Sequence, residues 1–398
     1  MPLRALNGGI GHKAKELVIH SCYIAHSLLI SLNLYLRTQH RKTSFVTMVM
    51  KNRSVLLVGF LVLLFSCKDK TNAPDISAVK VSLQTERFDK DFFSKDSNAM
   101  ASALPELQTK YPTFLPIFVN YILGLGPLRP DNAAAFEGSK RFLHLTQPLY
   151  DSAQKIYSNT SDIQADFEAA IRYVKYYFPA YKNPTKIITL IGPIDGLAQM
   201  GSDHSTNFIG PDFLGISLQF YLGANFSAYN DEYFITNVAP QYRSRRFEKK
   251  YIVPDAMKLI VDDLFPDQAT GKPLIDQMIE KGKQWWLLDK FLPQTADSLK
   301  TGFTQRQLDW CRINEGLIWN QVITNENLYT VDPVTIQTYI GESPFTQTMP
   351  EQSPGNIGPW IGWQIVKKFV AGHSSITPEE LMKTDSKKIL EEAKYKPK

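Results

Sequence analysis

Three cysteines in 398 residues, Cys22, Cys67 and Cys311, are too few to staple a disulfide framework. No apolar run reaches the roughly 18 residues that a membrane-spanning helix needs. H-E-x-x-H, C-x-x-C, G-x-S-x-G and Walker sequences are all missing. The common signatures of zinc hydrolysis, dithiol redox chemistry, serine acyl transfer and nucleotide binding are therefore absent. Beyond residue 66 only His144, His204 and His373 remain, far apart and without a His or Glu at helical i, i+4 spacing. No internal repeat or low-complexity tract divides the chain, and its 24 prolines are scattered as punctuation. A single compact domain is the expected organisation.

A basic excess is also missing from most of the chain. The whole sequence has 44 Lys and Arg against 39 Asp and Glu, but residues 1–66 hold eight of the bases and one acid, Glu16. The remainder, 36 bases and 38 acids, is about −2 and offers no footprint for nucleic acid.

What is present is an address. Lys51 and Arg53 precede the apolar run Val55–Phe65, which closes on Leu64-Phe65-Ser66-Cys67 and turns charged at Lys68. Positive start, short apolar centre and small-residue cut are the order of a secretory signal peptide. Eleven helical residues span roughly 16 Å, about half of a bilayer's hydrocarbon core. Leu-x-Ser-Cys at the cut resembles a bacterial lipobox, in which the Cys67 thiol takes a diacylglyceryl group. Residues 48–66 thus read as a lipoprotein signal peptide and 67–77 as a polar linker. Residues 1–47, with a second apolar run at Tyr23–Leu36, read as a start-site overcall, since Met48 and Met50 are both available; the alternative is an amphipathic or membrane-inserted leader.

The remaining 332 residues, from Cys67, are enough for one large domain. Alternation at Val79, Val81 and Leu83 predicts a strand before Arg87-Phe88-Asp89. Ser161-x-x-Gln164 predicts a capping box for a helix ending at Pro179. Lys186–Gly192 and Phe213–Gly223 read as strands, and Pro254 opens a helix with Met257, Ile260, Val261 and Leu264 on its apolar face. Helices continue over Leu274–Phe291. Thr304-x-x-Gln307 opens another that carries Leu308, Cys311, Glu315, Ile318 and Trp319. Ser353–Phe369 is a Gly/Pro loop running into a helix, and Thr377-Pro378-Glu379-Glu380 is a further capping box. The expected class is α+β and helix-rich, a small sheet packed with several helices over residues 78–398.

Chemistry has few places to sit. The polar loop Asp195–Asn207 carries Asp203, His204 and Ser205, an acid/base or metal cluster in one reading and a solvated loop in the other. Glu315 on an apolar helix face is either a site residue or the partner of Arg243, Arg245 or Arg246. Trp360 and Trp363 line a groove or fill the core. Asp203, His204, Glu315, Trp360 and Trp363 form the candidate pocket; no catalytic residue, metal ligand or cofactor is assigned.

Several of these stretches together resemble the gliding-motility lipoprotein family GldB of the Bacteroidota. They are the lipobox at Cys67, Arg87-Phe88-Asp89, Tyr221-Leu222-Gly223, Ile252-Val253-Pro254-Asp255, Trp310-Cys311 with Glu315 and Trp319, and Pro354–Val366. The resemblance covers nearly all of Met50–Lys398. It implies a lipid-anchored envelope component, on the inner or outer membrane, that supports gliding beside the machinery that drives and secretes adhesins. It implies no reaction. A more distant similarity is to zinc proteases, in which a strand precedes an H-E-x-x-H helix and a later helix adds a Glu ligand. Here Val253–Val261 contains no histidine, so the scaffold would be protease-like without the zinc motif, kept for binding. The rival expectation is an extracytoplasmic metal-dependent hydrolase with an atypical site at Asp203, His204 and Glu315.

Overall fold

A computed structural model of the chain describes residues 73–200, 207–325 and 328–397. Strands β1 (Gln84–Glu86), β2 (Lys186–Leu190), β3 (Phe208–Ile209) and β4 (Phe213–Ser217) make one sheet in the order β1-β2-β4-β3. The first two and β4 run parallel, with Lys186 opposite both Gln84 and Phe213; β3 returns antiparallel to β4. A parallel sheet with both faces covered selects continuous apolar strands rather than alternating ones. Accordingly Ile187, Ile188, Leu190 and every residue of β4 are buried.

Four longer helices separate β1 from β2: α1 (Phe88–Phe93), α2 (Met100–Lys110), α3 (Ala133–Ile156) and α4 (Ser161–Tyr177). After the sheet come α5 (Ile252–Leu264), α6 (Leu274–Phe291), α7 (Gln305–Ile313), α8 (Glu315–Asn325), α9 (Pro333–Ile340), α10 (Ile357–Gly372) and α11 (Ser386–Ala393). An aromatic layer fastens the first group to the sheet. Phe88 meets Phe114, Phe118 and Tyr111 edge-on at ring separations of 4.7, 4.8 and 5.1 Å, and Phe114 meets Phe213 of β4 at 5.6 Å. Such pairs contribute about 0.5–1.5 kcal/mol each beyond the area they bury.

The second group is organised by α6 and α10, which cross with almost no side chain between them. A Cβ on Gly362 would fall 1.6 Å from the Met278 carbonyl oxygen, and one on Gly282 would fall 2.2 Å from the Gly362 carbonyl carbon. Only glycine permits that approach. One hydrophobic core then runs from Leu83 to Ala393. The fold is the helix-rich α+β arrangement expected, with a small mixed sheet.

Local expectations divide. Both threonine capping boxes form: Thr304 and Gln307 bond reciprocally, as do Thr377 and Glu380. The box at Ser161 does not. Thr160 is the N-cap, the Ser161 N–H goes to Asn159 Oδ1 (2.8 Å), and Gln164 instead reaches Thr85 and Glu168. The strand expected at Val79–Leu83 lies one step later, because the Leu83 N–H is taken by Glu168 Oε1 (3.2 Å) and pairing starts with Gln84 N–H on Thr185 O. The strand from Phe213 stops at Ser217, whose N–H is captured by Asn207 Oδ1 (3.1 Å). The helix opened by Thr304 breaks at Asn314, so Glu315 begins a new helix.

Candidate functional site

The carboxyl ends of parallel strands are where loops from different strands converge and where ligands bind in open α/β sheets. Arg87 follows β1, Gly192 follows β2, and Gln219 and Tyr221 follow β4. Asp89 is fully buried, and its carboxylate accepts from Arg87 Nε (2.9 Å), Arg87 Nη2 (2.6 Å), Gln154 Nε2 (2.9 Å) and Thr189 Oγ1 (2.5 Å). Four donors fill the lone pairs of a carboxylate, so Asp89 welds α1, α3 and β2 and has little left for a ligand. Arg87 extends the network by donating to Tyr157 O (2.6 Å), and the Tyr157 hydroxyl donates to Tyr221 O (2.5 Å).

Tyr221 carries the network to α5. Asn207 Nδ2 donates to its hydroxyl (2.7 Å), which in turn donates to Asp255 Oδ2 (3.3 Å); Lys258 Nζ meets Asp255 Oδ1 at 2.9 Å. Burial, reinforced by the Asp255 charge, pushes the Tyr221 phenol well above its ordinary pKa, so it stays a neutral donor. Asp255 and Lys258 are 27% and 34% exposed, which makes this pair the solvent edge of the cluster. Behind it Gln219 Oε1 is buried with no hydrogen-bond partner among the described residues. Its amide nitrogen lies 2.9 Å from where a Cβ on Gly192 would sit. The arrangement positions strands and α5 through hydrogen bonds and two ion pairs, Arg87–Asp89 and Asp255–Lys258. Among the described residues no group of three or more His, Cys, Asp or Glu side chains could hold a metal.

Two clefts flank α5. One, of about 620 Å³, has Ile163, Ala170, Val253 and Leu292 in its walls and the Asp162–Lys249 ion pair (2.6 Å) among its lining. The other, of about 470 Å³, is polar and includes Lys258, Asp262, Gln284 and the Arg246–Glu342 pair.

Of the five candidate pocket residues, Glu315, Trp360 and Trp363 are among the described ones. Cys67, Asp203 and His204 lie outside the described residues. Glu315 accepts from the Tyr395 hydroxyl (2.8 Å), and Trp319 packs edge-on against the same ring. The arginines expected beside it are engaged elsewhere: Arg246 clamps Glu342 (2.7 and 2.9 Å) and Arg245 donates to Gly302 O. The break at Asn314 is the reason, because it puts Glu315 at a helix start facing the C-terminal segment. Trp360 and Trp363 are 2% and 4% exposed on α10 and line neither cleft. Trp363 donates its indole N–H to Asp289 (2.9 Å) and carries Lys367 over its ring at 3.7 Å.

The family model of the gliding motility protein GldB matches residues 69–397. The chain belongs to the GldB family. No curated protein and no solved structure matches it. Membership gives the chain a part in gliding motility. The geometry adds something to the resemblance: three of the stretches that carry it, at Arg87, Tyr221 and Asp255, are joined by the single hydrogen-bond network just described. Sequence reading singled out each stretch of this GldB chain but not the wiring, since its links span 34 to 70 residues.

Proposed function

We propose that this GldB protein is a non-enzymatic, lipid-anchored component of the cell envelope that supports gliding through contacts with other motility or secretion proteins. One observation carries the reading: the family match opens at residue 69, immediately after the lipobox-like Cys67. Two or more acyl chains at about 0.8 kcal/mol per buried methylene would hold such a domain on a membrane. No helix of the described residues is long and apolar enough to cross one. The fully occupied Asp89 and the Tyr395-bound Glu315 support a positioning rather than a reacting role for these two acids. A protease-like scaffold retained for binding belongs to the same proposal, with Val253–Val261 free of histidine.

The test is covalent. Radiolabelled palmitate is expected in the wild-type chain and not in Cys67→Ser, which should leave the membrane fraction and stop supporting gliding. A Cys67→Ser chain that stays membrane-bound and active overturns the anchor. Stoichiometric zinc in purified protein lacking Cys67, lost on His204→Ala, overturns the non-enzymatic part in favour of the metal-dependent hydrolase.

A further inference from the structure

Between Arg312 and Lys367 the sequence contains no lysine, arginine or histidine, and from Ile313 to Gly341 its charges are Glu315, Glu326 and Asp332. The same short stretch concentrates large apolar side chains on the surface: Ile313 (82% exposed), Leu317, Ile323, Val331 and Val334 (73%). On α8 the inward residues are Ile318 and Val322. Helical geometry puts Leu317, Asn320, Ile323 and Thr324 together on the opposite side, and all four are exposed. A solvent-facing helix surface without a charge is unusual for a lone domain, whose outer helix faces are normally charged and polar. Contiguous exposed apolar surface with a polar rim marks interaction sites.

The face is also held in place. Thr330 O and Leu328 O accept the Leu274 and Ile275 N–H groups at the start of α6, and the Gln321 side-chain amide donates to Thr348 O. Neighbouring bases are already engaged: Arg312 with Asp297 and Asp309, Lys272 with Glu280. Lys394 precedes Tyr395, whose hydroxyl binds Glu315.

We infer that the surface formed by the end of α7, α8 and the first turn of α9 is the docking face for a protein partner whose contact patch is apolar at its centre and ringed by Lys or Arg. This rests on the protein-contact reading above and names its surface. The charge pattern selects against the anchoring membrane itself, because anionic headgroups attract basic segments and the one base here, Arg312, is already paired with Asp297 and Asp309. It selects for a basic partner, because the stretch from Ile313 to Gly341 carries three acids and no base.

A photocrosslinking amino acid at Ile323 of the full lipidated chain, in gliding cells, tests the proposal against one at Tyr176 on α4. A discrete protein adduct is expected at Ile323 and not at Tyr176. Leu317→Lys and Val334→Lys should each cut its yield at least tenfold and Leu317→Glu less than threefold, with circular dichroism unchanged. Adducts at both positions, adducts to lipid or to a second copy of this chain, or a larger loss with Glu than with Lys would overturn it. If Leu317→Lys cells glide normally with the adduct intact, the docking face fails alone; if cells without the chain still glide, the broader functional reading fails.

Discussion

At the residue scale the strongest constraint is Asp89, a carboxylate without solvent contact. Its ion pair with Arg87 offers modest net stability, because removing both charges from water costs about as much as their attraction returns. Breaking it is different. Asp89→Ala strands a guanidinium that is largely buried, and the expected loss is about 3–5 kcal/mol in urea-induced unfolding. Thr189→Val removes one neutral donor and should cost about 1 kcal/mol. Comparable losses for the two would mean that the ion pair is not the weld described here. Glu315 makes the complementary case. It is held by one phenol, and an amide oxygen accepts from that phenol equally well. Glu315→Gln should therefore stay within about 1 kcal/mol of wild type and leave gliding intact, whereas a catalytic or ligating carboxylate would lose all function on that change.

At the scale of elements, α10 shows how one helix can be legible in its limits and hidden in its packing. A Gly/Pro loop followed by apolar residues announces the helix, but nothing local distinguishes Gly358 and Gly362 as contact points from Gly372, an ordinary terminal glycine. The structure separates them. Gly362→Ala forces α6 and α10 apart and should cost about 1–3 kcal/mol or more, while Gly372→Ala meets nothing within 4 Å and should be neutral or slightly stabilising. Thermal unfolding of the two variants decides this, and equal midpoints would refute the close crossing. The capping box at Thr377 is the opposite kind of element, fully local and so read directly from sequence. The Thr377 N–H, joined by its hydroxyl, lowers the Glu380 pKa below its ordinary 4.5. A carboxyl depressed in the folded state adds stability above its unfolded pKa and loses it as pH falls through the folded value. Exchange protection of the Thr377 amide should accordingly hold at neutral pH and be lost as pH falls through the depressed Glu380 value, and protection that persists once Glu380 is protonated would remove it from the box.

Across the whole molecule, what sequence conveys follows how far apart the partners lie. The Pro254 helix, the β-branched strand at Lys186 and the two threonine caps are set by neighbours within a few residues, and each occurs where the pattern puts it. The strand at Val79 shifts to Gln84 and the Ser161 box is displaced because groups on other elements, Glu168 and Thr85, compete for the local partners. The candidate site fares worse for the same reason. Arg87, Tyr221 and Asp255 stand out singly, but their joining depends on contacts that no periodicity encodes. Charge logic offers Glu315 either a site role or an arginine partner, and a tyrosine 80 residues away takes it instead.

That tyrosine belongs to a C-terminal segment on which the helical half of the protein depends. Lys283 is 3% exposed, and its ammonium donates to Met382 O and Thr384 O (both 3.1 Å) beside Glu280 (2.7 Å). Ser386 donates to the same glutamate, and Leu381, Ile389 and Ala393 are buried. Ending the chain at Ile376 would strip those side chains, at about 1.5–3 kcal/mol for each large one, and leave a buried cation two acceptors short. The combined loss approaches the ~5–15 kcal/mol that a whole domain has. The truncated chain should show no cooperative urea transition, while full-length Lys283→Met, which removes the cation along with its need for partners, should unfold cooperatively with a loss of only about 1–3 kcal/mol. A truncated chain that unfolds cooperatively near the wild-type midpoint would make the segment an appendage, and α6 and α10 would then have to be stable without it.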